Sequence, residues 1–248
     1  MNTNSCSQLI NVVDKNMDIW KNINKHISPG QAHFFNRLQN AIPVCWFGHL
    51  DSSAPKVLTF GQNPSFHEFP SYLSKPRFNA SVTSPVQDVI TSYNRYFDIN
   101  PYNAWFGSIE KLLNLFSSSY YSNSQYSSVA IHFDAYSIST RKSDDINKLT
   151  KLTNVLSLLS KNFFDLVEKQ DNIEKIIITG SHNYDLFKSI IGISNEKKIK
   201  IPVSFSRNSF KFIKAYHNGI PVFCTSAYLP NFFGKINYSE IYNILINI

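Results

Sequence analysis

Apolar positions along the chain follow two different periods. Four short runs are apolar almost throughout: Val57-Leu58-Thr59-Phe60, "SVAIHFD" ending at Asp134, "KIIIT" stopping at Gly180-Ser181, and "IPVFCT" ending at Thr225. Short runs of β-branched and aromatic residues closed by glycine or a polar residue suit strands covered on both faces. Between them the period lengthens. Asn103 to Phe116 places Trp105, Phe106, Ile109, Leu112 and Leu113 at helical spacing, and Asp144 to Gln170 repeats Leu149, Leu152, Leu156, Leu159, Phe163 and Leu166 along one stripe. Ser84-Pro85 opens an expected helix from Val86 to Phe97, Ser181 caps "HNYDLFKSII", and "NYSEIYNILINI" closes the chain as a helix. Ser28-Pro29-Gly30 starts another through "QAHFFNRLQNA".

Three stretches lack such a period. Gly61 to Ser84 is long enough to suggest a functional connection. Ser117 to Ser128 carries seven serines in twelve residues and reads as a solvated connection. Lys197, Lys198 and Lys200 read as a charged loop.

Strands separated by helices of ten or more residues require parallel crossovers. The expected fold is therefore α/β, three layers α/β/α around a central four-stranded, mainly parallel sheet. One domain, 1–248, is expected, with its recognisable core at 56–234 and a helical extension at 1–50. Asn63, Asp134, Ser181 and Ser226 would then meet at the carboxyl edge of the sheet, where open α/β sheets bind ligands. In "GQNPS", Gly61 permits a close reversal and Pro64 holds Asn63 extended, so Gln62 and Asn63 are fixed at that edge.

Charge narrows the partner. The chain has 24 Lys and Arg against 17 Asp and Glu, a net charge of +7, which suits a polyanion. Its three cysteines, Cys6, Cys45 and Cys224, are too few and too far apart for a disulfide framework, a CxxC site or a cysteine-bound iron–sulfur cluster. No trio of ligands has metal spacing, and neither metal nor cofactor is expected. The opening "MNTNSCSQLINVVDKN" has neither a basic start nor a long apolar core, and no segment stays apolar for a bilayer's width. A monomeric cytoplasmic protein without a membrane partner is expected.

The polar strand ends carry a resemblance. "GQNPS" resembles the GQDPYH turn of the uracil-DNA glycosylase superfamily, with the Asn that some branches have in place of Asp. "ITGSHN", Ile178 to Asn183, resembles the family's strand followed by G-S-H-A, and "FCTSAYLP", Phe223 to Pro230, stands in place of its HPSPLS segment. The resemblance implies a DNA-binding protein that hydrolyses the N-glycosidic bond of a damaged or modified base: uracil, hypoxanthine or a modified pyrimidine. Such a site must extrude the nucleotide, hold water below the sugar and stabilise the departing base. It implies that Asn63 positions the water and Gln62 bonds the base, while Asp134 stands where the family has an Asn that reads the base edge. Ser65 replaces the tyrosine that closes the pocket. Phe78 is the first candidate for stacking on the base and Phe66 the second; core packing is the other role open to each.

Further roles follow from the same resemblance. Tyr228 and Leu229 would form the wedge that fills the vacated stack. Ser84, Ser181, His182 and Ser226 would contact phosphate, with Arg141 and Lys142 beyond Asp134. Two departures bear on turnover. Asn63 lacks a carboxylate, and Thr225 stands where the family has the histidine that stabilises the leaving base. His67 is either a replacement acid or base or a surface or phosphate-contacting residue, and His132, alternating with Ile131 and Phe133, reads as a satisfied core or interface residue. A nucleic-acid-binding module on the same fold with weak or no catalysis is the alternative, and an unrelated α/β enzyme for a small nucleoside or phosphorylated substrate is a third.

Overall fold

The computed structural model describes residues 3–35, 38, 41–69, 76–122, 125–170, 172–232 and 234–248. A long amphipathic helix opens the chain, α1 (Thr3–Lys21), followed by strand β1 (Lys56–Gly61). Helices α2 (Val86–Asn94), α3 (Tyr96–Ile99) and α4 (Asn103–Leu115) lead to a two-residue strand β2 (Ser118–Ser119) and to β3 (Ser128–Asp134). Next come α5 (Thr150–Gln170), β4 (Ile173–Thr179) and α6 (Ser181–Ile190). The hairpin β5 (Ser194–Val203) and β6 (Ser206–His217), strand β7 (Ile220–Thr225) and helix α7 (Tyr238–Asn247) complete the order.

One mixed sheet holds all seven strands, in the order β2-β3-β1-β4-β7-β6-β5. The four apolar runs are its adjacent parallel members, β3 beside β1, β1 beside β4 and β4 beside β7. The sheet has seven strands rather than four, because β6 and β5 extend it antiparallel beyond β7 and β2 adds a short parallel edge beside β3. The chain leaving β1 covers one face with α4, and the chains leaving β3 and β4 cover the other with α5 and α6. Diverging connections of this kind leave the carboxyl ends open between them.

Alternation along the strands sorts the two faces. Phe60 and Phe133 turn towards α5 and α6, where Phe60 meets Phe187 at 5.2 Å and Phe133 meets Phe164 at 5.7 Å between ring centroids. Thr59 and His132 turn the other way, under Phe106, Trp105 and Tyr120. A continuous buried core runs from Leu9 on α1 to Leu245 on α7. No helix among the described residues is long and apolar enough to cross a membrane.

Several local expectations change. Gln31–Phe35 is a short 3-10 turn rather than the start of a long helix, and part of the remaining stretch lies outside the described residues. The helix from Val86 breaks at Arg95 into α2 and α3. Asp144 belongs to a separate 3-10 turn, Ser143–Lys148, ahead of α5. Gly180, not Ser181, is the N-cap of α6; its φ of 89° lies in the left-handed region that glycine tolerates, and no side chain caps the helix. The serine-rich connection is partly interior, since Ser118, Ser119 and Tyr120 are fully buried. The lysines at 197, 198 and 200 lie on β5, an edge strand, not in a loop.

Candidate functional site

The carboxyl ends of β1, β3, β4 and β7 open into one cleft of about 810 Å³. Asn63, Asp134, Ser181 and Ser226 all line it, one from the end of each parallel strand. The floor is set by register. Gly61 pairs with Asp134 and Thr59 with His132, so the two polar side chains of β3 lie directly beside β1. A Cβ at position 61 would stand 2.3 Å from Asp134 Oδ1 and 3.1 Å from the His132 ring, so only glycine lets these groups approach.

A buried relay runs from the interior to this floor. Tyr120 OH and Thr59 Oγ1 are 2.7 Å apart, Thr59 Oγ1 lies 2.9 Å from His132 Nδ1, and His132 Nε2 lies 3.2 Å from Asp134 Oδ1. Tyr120 donating to Thr59 and Thr59 donating to His132 Nδ1 leaves the proton on Nε2, which then donates to Asp134. That order presents Asp134 to the cleft as an acceptor. His132 is a satisfied buried residue, as its place in the strand suggests, yet it also lines the cleft.

Beyond β1, the water-positioning candidate Asn63 donates weakly through Nδ2 to Thr140 Oγ1 at 3.3 Å and to the Ile138 carbonyl at 3.4 Å. Its Oδ1 is buried and accepts no hydrogen bond from the protein. An unmet buried acceptor costs about 1–3 kcal/mol, so the position calls for a small donor such as water. Gln62 is tied down instead: Nε2 donates to Asn147 Oδ1 at 2.8 Å and its carbonyl accepts from Tyr136 N at 2.9 Å. Ser65 Oγ accepts from His67 N at 3.1 Å and caps the 3-10 turn Phe66–Glu68.

Glu68 is the charged group that sequence reasoning passed over. It is 3% exposed, lines the cleft, and accepts a hydrogen bond from Tyr96 OH. Burial pushes its carboxyl up to about 8, against the pull of the Tyr96 hydroxyl and the Arg77 guanidinium, while the negative charge of Asp134 pushes the same way as burial. At neutral pH Glu68 therefore keeps its proton.

An aromatic wall faces these groups. His67 stacks on Tyr102 with ring centroids 5.3 Å apart, and the Arg77 guanidinium lies 5.3 Å over the same tyrosine ring. Trp105 packs on His132 at 4.4 Å, and its Nε1 donates to Tyr228 OH at 2.7 Å, bridging α4 to the segment after β7. Phe66 lines the cleft beside His67. Tyr102 is the N-cap of α4 and Trp105 lies on its first turn; the helical spacing marks Trp105 as apolar-side but marks neither residue as a wall of the site.

Polar and basic groups rim the opening. Arg141 and Lys142 are exposed on the β3 side. Ser181 and His182 are exposed at the start of α6, and Ser226 is fixed by exchange with Lys211, donating N to its carbonyl and accepting its N–H on Oγ, both at 2.8 Å.

Four expected site residues lie elsewhere. Phe78 is core, 6% exposed and packed against Phe47, Phe69, Tyr93 and Tyr96, so it presents no face to a base. Thr225 is fully buried below the cleft floor, and its Oγ1 accepts from Ala227 N at 3.2 Å; its place inside β7 turns the hydroxyl to the local turn. Leu229 is fully buried and cannot serve as a wedge in this conformation, which leaves Tyr228 alone at the rim. Ser84 accepts from Ser81 N at 2.9 Å and closes a turn away from the cleft.

Among the described residues no three His, Cys, Asp or Glu side chains cluster as a metal site requires. Cys45 is buried and burial pushes its thiol up to about 12, and burial raises Cys224 as well, so neither offers a thiolate. Compared with known proteins, the chain matches no protein-family model and no curated sequence.

Proposed function

We propose that this chain binds DNA and hydrolyses the N-glycosidic bond of a damaged or modified base held in the cleft at the carboxyl edge of the sheet. The observation that carries the reading is the meeting of four strand ends in one cleft around a buried, unpartnered Asn63 carbonyl oxygen. Asn63 holds the attacking water. Asp134, oriented by His132, accepts from an N–H on the base edge, and the Tyr102 and His67 rings supply a stacking wall. As the bond between sugar and base breaks, the base leaves with the bonding electron pair and takes a proton from Glu68, whose buried carboxyl holds one at neutral pH. Water adds to the sugar carbon and its proton returns to solvent or to Glu68.

A nucleic-acid-binding module without turnover is the second reading. It is favoured by Thr225, whose burial leaves no hydroxyl at the leaving base. Incubation with oligonucleotides carrying uracil, hypoxanthine or modified cytosines, followed by alkaline cleavage at abasic sites, separates the two. Excision should appear with at least one of these bases and fall at least about a hundredfold in Asn63→Ala, the loss expected for one positioned polar group at a reacting centre. DNA retention with no abasic site on any of them selects the module.

A further inference from the structure

The net charge is confined to one part of the chain. Residues 197–239 hold seven of the 24 basic residues and none of the 17 acidic ones, so the other 17 basic and 17 acidic residues cancel and the whole +7 lies in this stretch. Six of the seven lie on β5 and β6, the last two strands at one edge of the sheet. β6 pairs with β7 as far as Phe212 opposite Thr225, where β7 ends at the cleft. Beyond that level β6 and β5 continue as a two-stranded arm, with Lys200 opposite Lys211, Ile201 opposite Phe210 and Pro202 opposite Ser209. Ser206 to Phe210 rises past the carboxyl edge by roughly 17 Å at strand spacing.

The root of the arm is fastened to the cleft. Lys211 exchanges two hydrogen bonds with Ser226, which lines the opening. Lys200 and Lys211 are directly opposed and share a face of the ladder, an arrangement that repels itself unless an anion lies over it. Arg207 is exposed at the irregular tip. Lys198, by contrast, is paired with Glu196 at 2.6 Å. Lys200, Arg207 and Lys211 are exposed and have no acidic partner among the described residues. Across the cleft stand Arg141 and Lys142, in the segment that follows β3, a strand four positions from β6 in the sheet.

We propose that the β5–β6 arm is a phosphate track for the nucleic-acid strand flanking the cleft, with Lys200, Arg207 and Lys211 as its contacts and Arg141 and Lys142 as the opposite bank. This rests on the reading of the cleft as a nucleobase site. Phosphate contacts of this kind position the strand without reading sequence.

The test is the salt dependence of binding to a fluorescent oligonucleotide, single-stranded and duplex, for the wild type, for Lys200→Ala/Arg207→Ala/Lys211→Ala and for Arg207→Ala alone, with thermal melts to confirm folding. The triple variant should lower the slope of log affinity against log salt by about 2 to 3 and weaken binding equally for all sequences; Arg207→Ala should lower it by about 1. A steep wild-type slope left unchanged by both variants overturns the arm while leaving the cleft reading standing. No salt-dependent binding by the wild type overturns both. Loss of binding to anionic phospholipid vesicles with DNA affinity intact also overturns the proposal, in favour of a membrane surface.

Discussion

The parallel strands β3, β1, β4 and β7 and the antiparallel arm β5–β6 share one sheet but use their residues differently. Along the parallel strands both faces are covered, so nearly every side chain is apolar and buried polar groups are confined to a few positions. Two of these, Thr59 and His132, form the relay under the cleft. On the arm one face is wet, and charge alternates with Ile199, Ile201 and Phe210. A polar residue in the first region therefore marks constrained chemistry, whereas in the second only the sign and partnering of the charges are informative.

The largest effect that would sharpen this contrast belongs to Glu68. Its ordinary value of 4.5 is raised to about 8 in the fold, chiefly by burial. Below pH 4.5 the carboxyl is protonated whether folded or not, and the burial carries no ionic cost. Between 4.5 and 8 the unfolded chain releases the proton and the folded chain keeps it, so stability falls as pH rises, by about 5 kcal/mol across that window. Glu68→Gln retains an acceptor for Tyr96 and should remove this slope. Thermal melts of both proteins at pH 5 and pH 8.5 check it; parallel behaviour would break the assignment.

Gly61→Ala comes next. The added methyl would collide with the Asp134 carboxylate at 2.3 Å, and the strand cannot yield without displacing the His132 ring. A loss of about 3 kcal/mol, at the upper end for overpacking, is expected in urea unfolding, together with loss of excision. Thr59→Val has nearly the same shape but cuts the relay, leaving Tyr120 OH and His132 Nδ1 without that partner. It should cost about 2 kcal/mol. Because the groups act as one network, Tyr120→Phe should cost less in the Thr59→Val background than alone; strict additivity in the double-mutant cycle would dissolve the relay.

Legibility in the sequence divides along the same line. The four parallel strands were readable because doubly covered strands are short apolar runs, and the meeting of Asn63, Asp134, Ser181 and Ser226 followed from the rule that such strands point their carboxyl ends at a common edge. Phe78 was not readable, because with 20 phenylalanines in the chain an aromatic residue in an aperiodic stretch does not disclose whether it faces core or cleft. Glu68 was hidden because its proton is held by burial, against the pull of a Tyr96 hydroxyl 28 residues away. Strand β5 was missed because three lysines within four positions read as a charged loop, although Lys198 and Lys200 alternate with Ile199 and Ile201. Lysines on an edge strand are a common means of blocking further pairing, and they disguise the strand as a loop.

The smallest expected effect separates the regions by sign. Lys56, at the start of β1, is 1% exposed and its Nζ donates to the carbonyls of Ser52 at 2.5 Å and Ala54 at 2.7 Å, so Lys56→Thr strips donors from these half-buried acceptors and should destabilise by about 2 kcal/mol. Lys200 is exposed and faces Lys211, so Lys200→Thr removes a repulsion and introduces a residue that favours strands; it should stabilise by about 0.5 kcal/mol. The same substitution should lower the salt slope of DNA binding by about 1. Urea midpoints at low ionic strength and binding isotherms in a salt series read both. A stability loss at position 200 would show that the lysine pair is held by contacts within the protein, and the arm would then lack the uncompensated charge that a phosphate backbone satisfies.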